Sequence, residues 1–330
     1  MRHRRHALIL AGILAAIAPA LGGRALAQDW PTRPVTMVVP FSAGGPVDTL
    51  GRLLQPRLSE VLGRQVVIEN IGGGGGMTGS LRVSQAPPDG YQFVLGSIGT
   101  HALNQSMHKK PLYNAAADFS PVTLVADAPL VLMVRKDLPA NNLQEFIGYA
   151  KTNQGKMQYG SGGTGTSAHI GCVLLNQAIG VEITHIPYRG GGPSMQDLIA
   201  GRIDYLCNYI STALPAFQAG QVKLIAMLTR ERAPVLADLA TAHEQGLKDL
   251  DISAWNAILM PKNTPAPLVQ KLNAAIGKTL DTPALRQRLD GIGLLVAAPE
   301  RRGPDYLAQF IAREIDKWAV PIKASGAMVE

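Results

Sequence analysis

Chemistry-bearing residues are scarce in this chain. Cys172 and Cys207 are the only cysteines in 330 residues, and neither belongs to a C-x-x-C pair. His101, His108, His169, His185 and His243 form no helical pair at ligand spacing, so no zinc centre is expected. No G-x-S-x-G occurs, which removes the nucleophile elbow of the α/β hydrolases. No glycine loop leads into G-K-[ST], which removes the P-loop nucleotide binders. Aromatic residues amount to 5 %, and no Lys/Arg cluster is interleaved with them, so nucleic acid is not an expected partner. Beyond residue 27 no run approaches the roughly 20 apolar residues that span a bilayer.

What the chain does carry begins with an export signal. Arg2, Arg4 and Arg5 precede an apolar run over Ala7–Leu21, and Ala25-Leu26-Ala27 supplies small residues before Gln28. That pattern predicts a signal peptide over 1–27, cleavage after Ala27, and a periplasmic protein. The residues after Arg4-Arg5 match the twin-arginine pattern poorly, which favours the general secretory route. Cleavage removes Arg2, Arg4, Arg5 and Arg24 but no acid, lowering the formal net charge from +7 to +3. Much of the basicity therefore belongs to targeting.

The remaining chain alternates short β-rich runs with helical patterns, the rhythm of an α/β protein with mainly parallel sheets. Val35–Pro40, Gln65–Glu69 and Tyr91–Gly96 read as strands around helices at Pro46–Leu62 and Met77–Gln85. A second unit starts near Pro129 and repeats strand and helix to Val222–Leu228. Leu130–Arg135 and Ile252–Met260 read as strands crossing between units. Domain I is thus 28–129 with 253–330, domain II is 130–252, and a cleft separates them. Cys172 and Cys207 sit in apolar surroundings and are expected as buried free thiols rather than a disulfide.

Two strand-to-helix loops share one construction. Pro40-Phe41-Ser42-Ala43-Gly44-Gly45-Pro46 turns on glycine and puts proline at the first helical position. Asp48, in that first turn, is expected to cap free backbone N–H groups rather than touch a ligand. Gly160-Ser161-Gly162-Gly163-Thr164-Gly165-Thr166-Ser167 also follows a strand and opens a helix, making an anion cradle of amides and hydroxyls. Gly160, Gly162 and Gly165 match G-x-G-x-x-G, as do Gly74, Gly76 and Gly79. A dinucleotide site would need an acid at the end of the following strand, and Glu182 lies at its start. No cofactor is expected. An exported NAD-type oxidoreductase or a hydrolase, with Ser161 and His169 as nucleophile and base, is the alternative.

Read in order, these segments resemble the Bug family, solute-binding receptors of tripartite tricarboxylate transporters. The likeness covers the chain beyond the signal. It is carried by Trp30-Pro31-Thr32-Arg33-Pro34, Val39-Pro40-Phe41 through Asp48, Val67-Ile68-Glu69-Asn70, and Pro88-Asp89-Gly90-Tyr91. Asp118–Val122, Gly160–His169, His185–Gly190, Ala213-Leu214-Pro215, Ala219-Gly220 and the Glu314/Trp318 helix complete it. The resemblance implies a two-lobed periplasmic binding protein-like fold of type II, joined by crossing strands. It implies a small carboxylate ligand held by Phe41, Ser42, Ala43, Gly44 and Gly45, and by Ser161, Gly162, Gly163, Gly165, Thr166 and Ser167. Tyr188, Arg189 and Asn208 are implied rim or specificity positions, with Arg189 either a carboxylate partner or a solvated cation. It further implies a monomer that serves the membrane subunits of such a transporter. Ser42-Ala43, the glycine-rich Arg189–Gly192 and Cys207-Asn208 depart from the usual pattern, so no particular carboxylate is assigned.

Overall fold

The structure, a computed structural model, describes residues 30–324 and Met328. The export segment lies outside the described residues. Strands β1 (Val35–Val39), β2 (Val66–Asn70) and β3 (Gln92–Ser97) pair in parallel, with helix α1 (Pro46–Leu62) crossing from β1 to β2 and α2 (Met77–Ser84) from β2 to β3. Leu50, Leu54 and Leu58 recur on one face of α1 and are buried, which is why that segment docks as a helix. Beyond β3 comes a π-helical turn, Gly99–Leu103, that runs into a short α3 (Asn104–Met107). A second βαβ series follows: α4 (Leu143–Asn153), β5 (Gln158–Ser161), α5 (Ser167–Ile179), β6 (Thr184–Pro187), α6 (Gly191–Ile199), β7 (Tyr205–Tyr209), α7 (Ile210–Gln218) and β8 (Val222–Met227). Here β5 pairs in parallel with β6 and β7. The chain then returns through β9 (Ser253–Pro261), α8 (Ala266–Leu280), α9 (Pro283–Asp290), β10 (Leu295–Val296) and α10 (Pro304–Ala324). No helix among the described residues is long and apolar enough to cross a membrane.

The two strand series meet in β4 (Phe119–Arg135), a single strand of 17 residues. Its first part, to Pro129, pairs antiparallel with β9, and its last part, from Leu130, pairs with β7 and β8. Patterning starts the second unit near Pro129 and places only Leu130–Arg135 in a strand, whereas the strand runs from Phe119 through Pro121 and Pro129. Both prolines escape the usual penalty. Pro121 sits at a register shift and Pro129 where β4 leaves β9, positions at which a missing N–H costs no ladder bond. A second correction concerns the cysteines. Both are fully buried, as the apolar context implies, but they are joined as a disulfide with Cα atoms 5.3 Å apart. Local sequence cannot reveal that α5 packs across β7 and brings Cys172 onto Cys207.

Candidate functional site

The first glycine loop is held from beneath by Asp48. Its Oδ2 accepts from the Gly44 amide (2.9 Å) and from Arg52 Nε (2.8 Å), and its Oδ1 from Asn70 Nδ2 (2.9 Å). Burial opposes the charge, but the Arg52, Gly44 and Asn70 hydrogen bonds outweigh it and keep the carboxyl below the usual carboxylate range. Asp48 thus ties the loop down as expected, through Gly44 rather than through the helix's own first amides. Those amides, on Val47 and Asp48, have no acceptor among the described residues.

The second loop is held by uncharged groups. The Ser161 hydroxyl accepts from the Gly163 amide (3.1 Å) and shares a 2.7 Å hydrogen bond with His185 Nε2. Thr166 is the N-cap of α5, accepting from His169 N, and its hydroxyl donates to Gly163 O. His169 Nδ1 accepts from the Gly165 amide, which fixes the neutral ring with its proton on Nε2. His169 and His185 stack with centroids 4.1 Å apart. Burial, with the neighbouring His185 adding to it, depresses His169 to about 3, and burial depresses His185 to about 4. Both rings are therefore neutral supports of the loop, and the Ser161–His169 nucleophile pair is not formed: Ser161 faces His185. The free first-turn amides of α5 belong to Ser167 and Ala168.

The two loops meet across a cavity of ≈ 30 Å³, room for about two waters. Phe41, Pro46, Val47, Ser97, Gly162, Thr166, Ser167, Ala168, Gly191, Asn208 and Tyr209 line it, and none of these carries a charge. Four helix starts converge there: α1 at Pro46, α5 at Ser167, α6 at Gly191 and α7 just after Tyr209. Aligned amides give each start a partial positive charge. Larger hollows of ≈ 630 Å³ and ≈ 1040 Å³ lie around α5 but gather no helix starts. Of the residues read from sequence, Phe41, Gly162, Thr166, Ser167 and Asn208 reach the cavity wall. A seam runs beside the cavity: Ser42 and Gly45 abut the Arg189–Gly192 segment, where Ser42 N donates to Arg189 O (3.3 Å), while Gly163 lies against Gly75 and Gly165 against Asn104. Ser161 braces from behind, while Ala43 and Gly44 are exposed on the outer side. Tyr188 turns away to donate to Asp197 (2.7 Å), and burial together with that carboxylate raises its phenol to about 12. The Arg189 side chain is exposed, and only its carbonyl joins the seam.

Val47, Ser97, Ala168, Gly191 and Tyr209 were not read from the sequence. A signal existed: each lies at the C-terminal end of a strand or in the first turn of a helix that follows one, where open α/β sheets bind ligands. Asn104 was also missed. Its Nδ2 donates to Gly75 O (3.3 Å), and its Oδ1 lies where a side chain on Gly165 would sit. It therefore packs between the glycine run and the second loop.

Residues 50–327 match the family model described as tripartite tricarboxylate transporter family receptor. MatC from Rhodopseudomonas palustris, solved with bound malate, is 39 % identical, with 89 % of this chain and 100 % of that chain covered and a TM-score of 0.86. BugD, a periplasmic binding protein, is 35 % identical, with 91 % and 100 % covered and a TM-score of 0.89. A second R. palustris protein, solved with adipate, is 34 % identical, with 90 % and 99 % covered and a TM-score of 0.86. The two-lobed α/β reading is thereby borne out, and the oxidoreductase and hydrolase alternatives fall. This chain belongs to the tripartite tricarboxylate transporter receptor family, periplasmic-type binding proteins that capture solutes and are not enzymes.

Proposed function

We propose that this receptor captures a small di- or tricarboxylate in the cavity and hands it to the membrane subunits of a tripartite tricarboxylate transporter. The observation that carries the reading is the convergence of four helix starts on an uncharged cavity. Such a site attracts anions through oriented amides and leaves no side-chain cation to set one fixed pairing. Malate and adipate, bound in the two R. palustris relatives, are small dicarboxylates, each larger than the ≈ 30 Å³ left in this closed form, so capture requires the lobes to part. The ligand-holding set is Phe41, Gly162, Thr166, Ser167 and Asn208 with the Val47 and Ala168 amides, while Ser42, Gly45, Ser161, Gly163 and Gly165 shape the wall from behind and Ala43 and Gly44 face outward. Tyr188 and Arg189 stay at the rim. The lobes 28–129 with 253–330, and 130–252, part and close about β4 and β9. On this reading the export segment is cleaved after Ala27 and the receptor works in the periplasm as a monomer.

The test is a thermal-shift screen of di- and tricarboxylates. A ligand that binds only the folded form adds RT ln(1 + [L]/Kd), about 2.7 kcal/mol at a hundredfold excess over Kd. The true ligand raises the melting temperature in proportion to the logarithm of its concentration above Kd, and its methyl ester does not. A panel with no concentration-dependent rise would overturn the reading. Intact mass of periplasmic protein tests the cleavage site, the expected start being Gln28.

A further inference from the structure

We propose that the ≈ 630 Å³ hollow at the far end of α5 is the counterpart of the ligand cavity across the hinge. It narrows when the lobes part, so the side chains lining it set ligand affinity without touching the ligand. The inference rests on the two-lobe reading, in which 130–252 moves against 28–129 with 253–330 about β4 and β9.

Each lobe supplies one wall of the hollow. Leu174, Gln177 and Ala178, from the later turns of α5, form one side with the 246–252 segment. Lys317, Trp318 and Pro321 of α10 form the other. Both walls are fixed to their own lobe. The Cys172–Cys207 disulfide joins α5 to β7, so the helix moves with the second lobe as one piece. On the other side, buried Glu314 ties α10 to β9: its Oε2 accepts from Trp255 Nε1 (2.9 Å) and from Trp318 Nε1 (3.1 Å). The width of the hollow therefore follows the angle between the lobes.

Between its two ends α5 rests on the crossing itself. A Cβ on Gly171 would lie 3.1 Å from Leu130 Cδ2 and 3.8 Å from Ile252 Cγ2. Leu130 is where β4 passes onto the strands of the second lobe, and Ile252 is the last residue before β9. The helix is thus a lever with its bearing at Gly171. At 1.5 Å per residue, Ser167 lies ~6 Å along the axis toward the ligand cavity and Ala178 ~10 Å the other way, in the hollow. Turning the second lobe so that Ser167 leaves the cavity drives Ala178 toward α10. In this closed form the cavity has shrunk to ≈ 30 Å³ while the hollow stands wide, the pairing such a lever requires. Bulk placed in the hollow penalises the open form and spares the closed one. A ligand held between closed lobes then binds more tightly, because less of its binding energy goes into closure.

Ala178 and Lys317 are both exposed, so a large side chain at either fills the hollow without entering the core. The experiment compares wild type, A178W, K317W and, as a control that adds little bulk, A178S. Calorimetry with L-malate and adipate reads affinity, and small-angle scattering of the empty protein reads how far the lobes stand apart. A178W and K317W are each expected to tighten binding at least about fivefold and to make the empty protein more compact, while A178S changes neither. The two act from opposite walls, and either decides the matter where the other does not fold. Folded variants with wild-type affinity and dimensions overturn the inference and leave the receptor reading intact. Weaker binding also overturns it, by placing the hollow on the same side of the hinge as the cavity. If wild type binds neither acid, the receptor reading fails for these two and scattering alone decides: compaction by A178W or K317W upholds the lever, and wild-type dimensions overturn it.

Discussion

The loops that open α1 and α5 aim the same kind of helix start at the same cavity, yet they are supported by opposite means. Beneath the first lies an ionised carboxylate, Asp48, held by Arg52 at a partly exposed edge. Behind the second lie the neutral rings of His169 and His185, with Ser161 and Thr166, in a buried setting. A charge behind the second loop would be costly to bury, and a negative one would cancel the positive end of α5. The first turn of α1 includes Asp48, while those of α5, α6 and α7 contain no acid. The second loop should therefore supply more of the anion affinity, and the first more of the shape.

The largest expected effect probes the seam itself. A Cβ on Gly75 would lie 2.0 Å from Thr164 O, a backbone atom of the second loop. Gly75→Ala should lower ligand affinity about a hundredfold, equivalent to ~2.7 kcal/mol, because the clash exists only when the glycine run after β2 closes on the second loop. Its left-handed backbone (φ +63) adds roughly 1 kcal/mol of strain to the fold. Calorimetry with circular dichroism separates the two effects, and unchanged affinity would mean that the glycine run need not touch the second loop during binding.

The comparison of loops is sharpened by placing one charge in each. Gly163→Asp should cost at least about tenfold in affinity, the loss of one charge-assisted hydrogen bond or more. Gly44→Asp, where nothing lies within 4 Å of the added Cβ, should cost less than about threefold after screening. Equal losses would show that both loops hold the ligand alike.

Acid should undermine the second loop and the core before it reaches the first. His101 is depressed to about 3 by burial, and His169 to about 3 as well. Between the ordinary histidine pKa of about 6.5 and these values, the unfolded chain takes up protons that the native one does not. Stability is thus complete above about pH 6.5 and falls as pH drops toward 3. Each of these two buried rings contributes up to ~1.4 kcal/mol per pH unit. Asp48, with its carboxyl already lowered, loses its contribution only as pH falls below the ordinary carboxylate range. Denaturant melts from pH 7 to 4.5 should show the loss, and His169→Asn should make the slope shallower by about one proton. An unchanged slope would place the proton uptake elsewhere.

The smallest effect is expected at Arg189. Its side chain is exposed and contributes only a backbone carbonyl to the seam, so Arg189→Ala should change affinity by less than about threefold. A loss above about tenfold would replace the amide cradle with a salt bridge.

How much of this was legible depends on how local the rule is. Glycine between a strand and a Pro46 or Thr166 start obeys rules spanning a few residues, so both loops could be read directly. The Asp48 tether was half legible: its first-turn position was visible, its partner Gly44 was not. Ser97, Asn104 and Tyr209 reach the site only because separate strands end side by side, which no local pattern reports. Most of β4 is not legible locally, because whether Pro121 and Pro129 are tolerated in a strand depends on what the partner strand does at those points. The same holds for Cys172 and Cys207, whose apolar neighbours reveal burial but not proximity.

The position of β9 also bears on how the chain is made. It lies between β3 and β4, antiparallel to both, yet it follows the whole of 130–252 in sequence. As the polypeptide emerges from its N-terminus, the strands from β4 to β8 can assemble while β3 and the first part of β4 still lack their shared neighbour. Two apolar strand edges stay open through the synthesis of more than a hundred residues, the kind of exposure that invites mispairing between nascent chains. Long-range closure of this sort is slow. The late strand that unites the two series is thus also the step at which a growing chain is most in need of a chaperone.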